Sequence, residues 1–322
     1  MTELTYLDAS REALAGEMRR DPRVWALGED LGRGGVFGQY RGLSEEFGPG
    51  RIADTPISEA TIMGAAVGAA LVGSRPVVEM RFSDFALCAV DELVNQAAKA
   101  RYMFGGQGRV PLVVRQPIGM WRSSAAQHSQ SLEAWYTHIP GLVVVAPATP
   151  ADNYGLLRSA IRCDDPVVYM EHKDLWPLTG EVPVAADGGL VPLGQGRLVR
   201  PGHDVTIVTW SRMVQVAEAA AAEPGAPSIE VIDLRTLWPW DRAMVLDSVR
   251  RTGRCLVVHE AVQAGGFGGE IAATVGEELF GVLKAPVRRL GAPRIPVAYA
   301  PVLEATSRIT AGQVAAVAAR MV

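Results

Sequence analysis

The sequence predicts an α/β protein made of two doubly wound domains in tandem. Three observations carry this. Short runs of β-branched apolar residues alternate with longer segments of helical periodicity, the pattern of parallel sheets covered on both faces. The chain has 322 residues, enough to build two ordinary cores. The alternation breaks off once, over an irregular Gly-, Pro- and Val-rich stretch from Leu178 to Gly202, and then restarts. The expected division is therefore residues 1–178, a linker at 179–202, and residues 203–322.

Leu14 and Met18 stand at i, i+4 among charges, so residues 8–20 read as an amphipathic helix that stops before Asp21-Pro22. VWALGED is a short apolar run ending in acids, and the glycine-rich segment Gly32 to Gly38 follows it as a loop. Thr55-Pro56-Ile57-Ser58-Glu59 opens a helix of small residues, ATIMGAAVGAALVG, whose Gly and Ala let another backbone or a ligand come close. VVEM after Pro76 is a strand, VDELVNQAAKARYMF a long helix and VPLVVR a buried strand; a loop from Gln116 to Gln127 leads to His128. LVVVAP, PADNYGLLRSAIR and PVVYMEH read strand, helix, strand. In the second domain DVTIVTW, SIEVIDL and RCLVVHE are strands, separated by the helix SRMVQVAEAAAAE and a helix around residues 243–251. AGGFGG is a turn that opens the helix EIAATVGEEL, and VRRL and a helix around residues 311–321 finish the chain.

Composition excludes several classes. Lys and Arg number 31 against 35 Asp and Glu, a net charge of −4 with no basic stripe, so a nucleic-acid binder is not expected. Charged residues make up 20% of the chain, below the usual share of about 25%, which points to surface buried against other subunits. Cys88, Cys163 and Cys255 are odd in number and widely spaced, and read as buried free thiols of a reducing compartment. There is no basic-then-apolar leader, and the greasy stretch from Ala60 to Ser74 is too short for a bilayer, so a soluble, cytoplasmic chain is expected.

Both glycine-rich turns fail the dinucleotide fingerprint: Phe37 and Ile271 stand where the third glycine belongs. A Walker A motif, Gly-x-Ser-x-Gly and metal-ligand spacings are all missing from the sequence. Two residues draw notice on their own. Glu59 begins the small-residue helix, where the helix dipole alone would favour a carboxylate. His128 lies in the polar run Ala-Gln-His-Ser-Gln-Ser, where it is either a proton carrier or a solvated loop residue.

Longer segments carry a resemblance. DTPISEATIMGAAVGAAL, EMRFSDFALCAVDELVNQAAKARYMFGGQ, VPLVVRQPIG and AAQHSQSLEAWYTHIPGLVVVAPATPADNYGLLRSAIRCDDPVVYMEHK closely resemble the β subunit of thiamine-diphosphate-dependent 2-oxo acid dehydrogenases. This is the E1 component of pyruvate, branched-chain and acetoin dehydrogenase complexes. VIDLRTLWPWD, HEAVQAGGFGGEIAA and PVAYAPVLEA extend the likeness through the second domain. It implies a transketolase-like pyrimidine-binding domain followed by a transketolase C-terminal-like domain, and an α2β2 assembly that hands an acyl group to the lipoyl domain of an E2 acyltransferase. In that family the α subunit carries Gly-Asp-Gly…Asn, which holds magnesium and the cofactor diphosphate. This chain has no Gly-Asp-Gly; Ala186-Asp187-Gly188 is the nearest. The resemblance therefore implies that this chain supplies only the pyrimidine half of the thiamine diphosphate site.

By the same resemblance Glu59 is the carboxylate that bonds N1′ of the aminopyrimidine, so that the 4′-imino group can remove the C2 proton. Phe85 stacks on the pyrimidine, Ile57 forms the apolar wall beside it, and Glu29 is an acid near the cofactor channel. His128 faces the thiazolium side, where it can give a proton to the lipoyl sulfur. Oxygens of Leu112, Ala160, Ile161, Cys163 and Asp165 correspond to a potassium site of relatives, with Cys163 in place of an acid. Met120-Trp121-Arg122-Ser123-Ser124 stands where many relatives have small residues, which bears on the acyl pocket, while GGVFGQYRGL and PISEA lean towards the acetoin-like bacterial branch. The competing reading is a non-catalytic assembly subunit that docks E2; retention of Glu59, Phe85 and His128 weighs against it. A self-sufficient transketolase-type enzyme is disfavoured by the missing diphosphate motif.

Overall fold

A computed structural model describes residues 1–184 and 188–322. Ala186 and Asp187, nearest to a diphosphate motif in the sequence, fall outside the described residues. The chain forms two compact units: Met1–Ile118 with Trp135–Leu193, and Gly119–Ala134 with Gly194–Val322. The segment around His128 thus belongs with the second unit, although the sequence places it inside the first.

The first unit is built on a parallel sheet. Its strands are β2 (Val24–Gly28), β3 (Ile52–Asp54), β4 (Arg75–Glu79), β5 (Val113–Ile118), β6 (Val143–Val145) and β7 (Val167–His172), in the order β6-β7-β5-β4-β2-β3. Every residue of β4, β5 and β7 is buried, which is why their valines run consecutively rather than alternating with polar residues. Helices α1 (Tyr6–Arg20), α2 (Glu59–Leu71), α3 (Ala98–Met103) and α4 (Pro150–Arg162) connect them. Thr5 caps α1 by accepting the Asp8 N–H, and Thr149 caps α4 by accepting the Asp152 N–H, with Pro150 at the first turn. Leu14 and Met18 are buried as their spacing predicts, in one cluster with Leu156 and Leu157 of α4. Glu17 is buried between the two helices. Burial works against its charge, but the Arg162, Arg158 and Arg20 guanidinium groups hold its carboxyl below the usual range.

The second unit holds a five-stranded sheet. β9 (Arg197–Arg200), β10 (Val205–Thr209), β11 (Ile229–Asp233), β12 (Cys255–Val262) and β13 (Arg288–Ala292) lie in the order β13-β12-β10-β11-β9. Only β9 is antiparallel, at the edge. Helices α5 (Met213–Ala221), α6 (Arg242–Thr252), α7 (Gly268–Leu279), α8 (Pro301–Ser307) and α9 (Ala311–Ala319) complete it.

Three departures from the sequence reading are physical. The stretch expected to be irregular holds two strands: β8 (Thr179–Val182), which pairs antiparallel with β1 (Thr2–Thr5), and β9. Both are four-residue edge strands in which polar residues flank or separate the apolar ones, so neither produces an apolar run. The long helix expected across residues 90–104 is a π-helical segment, Glu92–Ala97, leading into α3. Asp91 at its head accepts the side chains of both Asn95 and Gln96, four and five residues on, a pairing that suits the wider turn. Finally α8 was not anticipated; Pro301 starts it.

Candidate functional site

In open parallel sheets ligands bind beyond the carboxyl ends of the strands, where the chain order reverses. In the first unit this point lies at β2, which has β3 on one side and β4 on the other. The segments leaving these three strands carry the candidate residues. Glu29 follows β2, Ile57 and Glu59 follow β3, and Phe85 follows β4. The segments are tied together: Thr55 N–H donates to the Gly28 carbonyl at 3.0 Å, and Leu31 N–H to Asp54 Oδ1 at 3.1 Å. Arg81 reaches Glu29 and Asp30, each at 3.3 Å, and Ser83 N–H donates to the Pro117 carbonyl at 2.9 Å.

Glu59 is the first residue of α2, where the helix dipole favours negative charge. It is half-buried rather than buried, and its carboxylate accepts no hydrogen bond from the described residues. Phe85 is half-buried in a 3-10 turn (Phe85–Ala89) packed against α2. Its ring meets Phe82 edge-on at 5.2 Å, and Phe82 meets Phe37 of the glycine-rich loop at 5.9 Å. Ile57 is 76% exposed, a large apolar side chain with no core to enter. An exposed apolar residue, a half-buried ring and an unengaged carboxylate on adjoining segments fit a flat heteroaromatic ring with a polar edge, as a pyrimidine has. Glu29 is nearly buried and already paired with Arg81.

The glycine-rich loop has another role. Gly34, Gly35 and Gly38 take positive φ, which lets residues 34–40 fold back so that Tyr40 and Gln39 are buried. Tyr40 O–H donates to Glu79 at 3.0 Å. Glu79, Arg115 and Glu171 form a buried charged group that the sequence reading passed over. Its signal was present: one charge inside each of three apolar strands, VVEM, VVR and VVYMEH.

His128 is half-buried in the segment 119–134 of the second unit, a loop that runs into a short helix at Glu133. Arg122, Ser123 and Ala125 have φ of +46°, +59° and +63°. Non-glycine residues in this region cost about 1–3 kcal/mol each and gather at functional sites. Trp121 and Arg122 stack on each other, guanidinium over ring at 5.0 Å. The AGGFGG turn serves as a seat for a histidine. A Cβ on Gly266 would lie 2.6 Å from His259 Cε1, and one on Gly268 2.7 Å from its Cδ2. His259 is fully buried, stacked on Trp210 at 5.4 Å, and burial lowers its pKa to about 4.

The expected potassium ligands fit that ion poorly. The Arg75 guanidinium donates to the carbonyls of Ile161 at 2.9 Å and Cys163 at 2.8 Å. The Ala160 carbonyl accepts the Cys163 N–H, and the Leu112 carbonyl accepts the Val167 N–H. Asp165 is paired with Arg101, and burial pushes the Cys163 thiol up, away from the thiolate. Arg75 thus occupies the Ile161 and Cys163 oxygens and Arg101 the Asp165 carboxylate, while backbone N–H groups meet the oxygens of Ala160 and Leu112.

Residues 2–179 match the transketolase pyrimidine-binding domain family and residues 194–314 the transketolase C-terminal domain family. The chain is 46% identical to the acetoin:2,6-dichlorophenolindophenol oxidoreductase subunit beta of Cupriavidus necator, over 96% of this chain and 95% of that protein. It is 43% identical to the 2-oxoisovalerate dehydrogenase subunit beta of Bacillus subtilis, over 94% of each. It is also 43% identical to the pyruvate dehydrogenase E1 component subunit beta of Rickettsia conorii, over 94% of this chain and 93% of that protein. A solved split-gene transketolase, an inactive beta4 tetramer, shares the fold with a TM-score of 0.76 at 24% identity, covering 99% of this chain and 98% of that one.

Proposed function

Because the chain belongs to the family of transketolase-like E1 β subunits of 2-oxo acid and acetoin dehydrogenase complexes, we propose that it forms the pyrimidine half of a thiamine diphosphate site completed by an α subunit. The observation that carries this reading is the unengaged Glu59 carboxylate at the head of α2, beside the Phe85 turn and at the reversal point of a parallel sheet. When bound, the cofactor supplies an acidic carbon that adds to a keto group and accepts the electron pair released on bond cleavage. In this reading Glu59 holds the pyrimidine ring nitrogen and exchanges a proton there. Phe85 and Ile57 cover the ring and exclude water. Arg81 orients Glu29 at the rim. His128 delivers a proton to the sulfur that leaves when the lipoyl disulfide of E2 is opened by acyl transfer.

The α subunit, in an α2β2 assembly, brings the magnesium and diphosphate ligands. A groove of about 480 Å³ between α2 and the π-helical segment, with Gly64, Gly68, Leu71, Met103 and Phe104 along it, suits coverage by another subunit. Met103 within it and Val72 and Tyr102 beside it are mostly exposed. The test is calorimetry with magnesium and thiamine diphosphate. The isolated chain should bind weakly and decarboxylate nothing, and the complex with its α partner should bind and turn over. Micromolar binding with turnover by the isolated chain would overturn the split site. The acyl substrate is assigned only to the class of small 2-oxo acids and acetoin.

A further inference from the structure

The strained backbone at Arg122, Ser123 and Ala125 keeps its shape only if surrounding groups over-determine it. Those groups are side chains far along the chain, all in the second unit. Glu260 of β12 accepts the Met120 N–H at 2.7 Å. Arg308 donates to the Met120 carbonyl at 2.8 Å. Glu304 of α8 holds Arg308 at 2.9 Å with one oxygen and accepts the Ser123 N–H at 2.8 Å with the other. At the far end of the loop Trp210 Nε1 donates to Glu133 at 3.0 Å. Hydrogen bonds to carboxylate and guanidinium are about twice as strong as neutral ones, and Glu260 and Glu304 are 7% and 6% exposed, so water competes little. His128 lies midway between Ser123 and Glu133. A loop that had only to close could relax to an unstrained turn. This one keeps side chains in left-handed backbone and has two acids and a cation bonded to the backbone of Met120 and Ser123.

We infer that Glu260, Glu304 and Arg308 are positioning residues that fix segment 119–134 and thereby set where His128 stands. The inference rests on the reading that His128 serves acyl transfer.

The test is a double-mutant cycle on the chain assembled with its α partner: Glu304→Ala, His128→Ala and the two together. Two assays are run. One follows turnover of pyruvate, 2-oxoisovalerate or acetoin, whichever the wild type consumes, with dichlorophenolindophenol as electron acceptor. The other follows acylation of free lipoamide. Glu304→Ala should lower lipoamide acylation by at least about tenfold more than dye-linked turnover, as small misplacements of a reacting group do. It should add nothing in the His128→Ala background. Glu304→Gln, whose amide oxygen still accepts the Ser123 N–H, should recover most of the loss. Additive losses, or equal losses in both assays, would overturn the inference. If Glu304→Ala fails to assemble, Arg308→Lys, which loses the fork onto Met120 and Glu304, enters the same cycle with the same expectation. A His128→Ala complex that acylates lipoamide normally would instead defeat the functional reading. A large His128 effect beside silent Glu304 and Arg308 variants would defeat the positioning inference alone.

Discussion

Arg115 grips Glu171 in a buried fork, with Nε to Oε2 at 2.8 Å and Nη2 to Oε1 at 3.0 Å, while its remaining nitrogen stands 3.8 Å from Glu79. One guanidinium thus faces two carboxylates inside the first unit. Burial pushes the Glu79 carboxyl up to about 7, Arg115 opposes this and Glu171 adds to it. Tyr40 O–H and the Gln39 amide complete its surroundings.

A raised carboxyl binds its proton more tightly folded than unfolded. Its contribution to stability is fully present below the ordinary Glu range and is lost as pH rises through about 7. The full span is worth about 3 kcal/mol. Glu79→Gln, which cannot ionise, should flatten the fall in stability between pH 5 and pH 7. Urea unfolding midpoints at half-unit steps of pH check this; an unchanged slope would remove Glu79 as the group responsible.

Two glycines of one helix should respond oppositely to alanine. At Gly268 the new Cβ meets the His259 ring at 2.7 Å, and that ring is backed by Trp210. Overpacking of this kind costs about 1–3 kcal/mol. At Gly276 nothing lies within 4 Å, so alanine there should stabilise by about 0.5–1 kcal/mol through helix propensity. Thermal unfolding of the two variants side by side is the check.

Potassium should matter little to this chain. With Arg75 on the Ile161 and Cys163 carbonyls, replacing potassium by choline should leave the melting temperature within about 1 °C, because a bound ion would stabilise by mass action. A drop of several degrees would restore the cation site. Arg75→Met should then create, rather than abolish, a potassium dependence.

What could be read from the sequence was whatever local pattern dictates. The alternation of buried strands and helices, the α1 face of Leu14 and Met18, and the opening of α2 at Glu59 are set by neighbours a few residues apart. Edge strands β8 and β9 were invisible because four residues with only one or two apolar side chains carry no apolar period. The holders of the His128 loop were invisible for another reason. Glu260, Glu304 and Arg308 act on Met120 and Ser123 across separations of 140, 181 and 188 residues, which no local spacing encodes. The AGGFGG turn was legible as a close approach but not as the seat of His259. The potassium ligands came from resemblance, and the arginine that meets their carbonyls comes from a third segment.

The central claim is that Glu59 of this chain is the carboxylate that activates a cofactor shared with an α subunit. Its most direct test is the rate of C2–H exchange of thiamine diphosphate in the assembled complex, measured by quenched-flow deuterium exchange for wild type and Glu59→Gln. The amide cannot exchange a proton with the pyrimidine ring nitrogen, so exchange should fall by about 10²-fold or more while assembly and melting temperature hold. Exchange at the wild-type rate in Glu59→Gln would contradict the account.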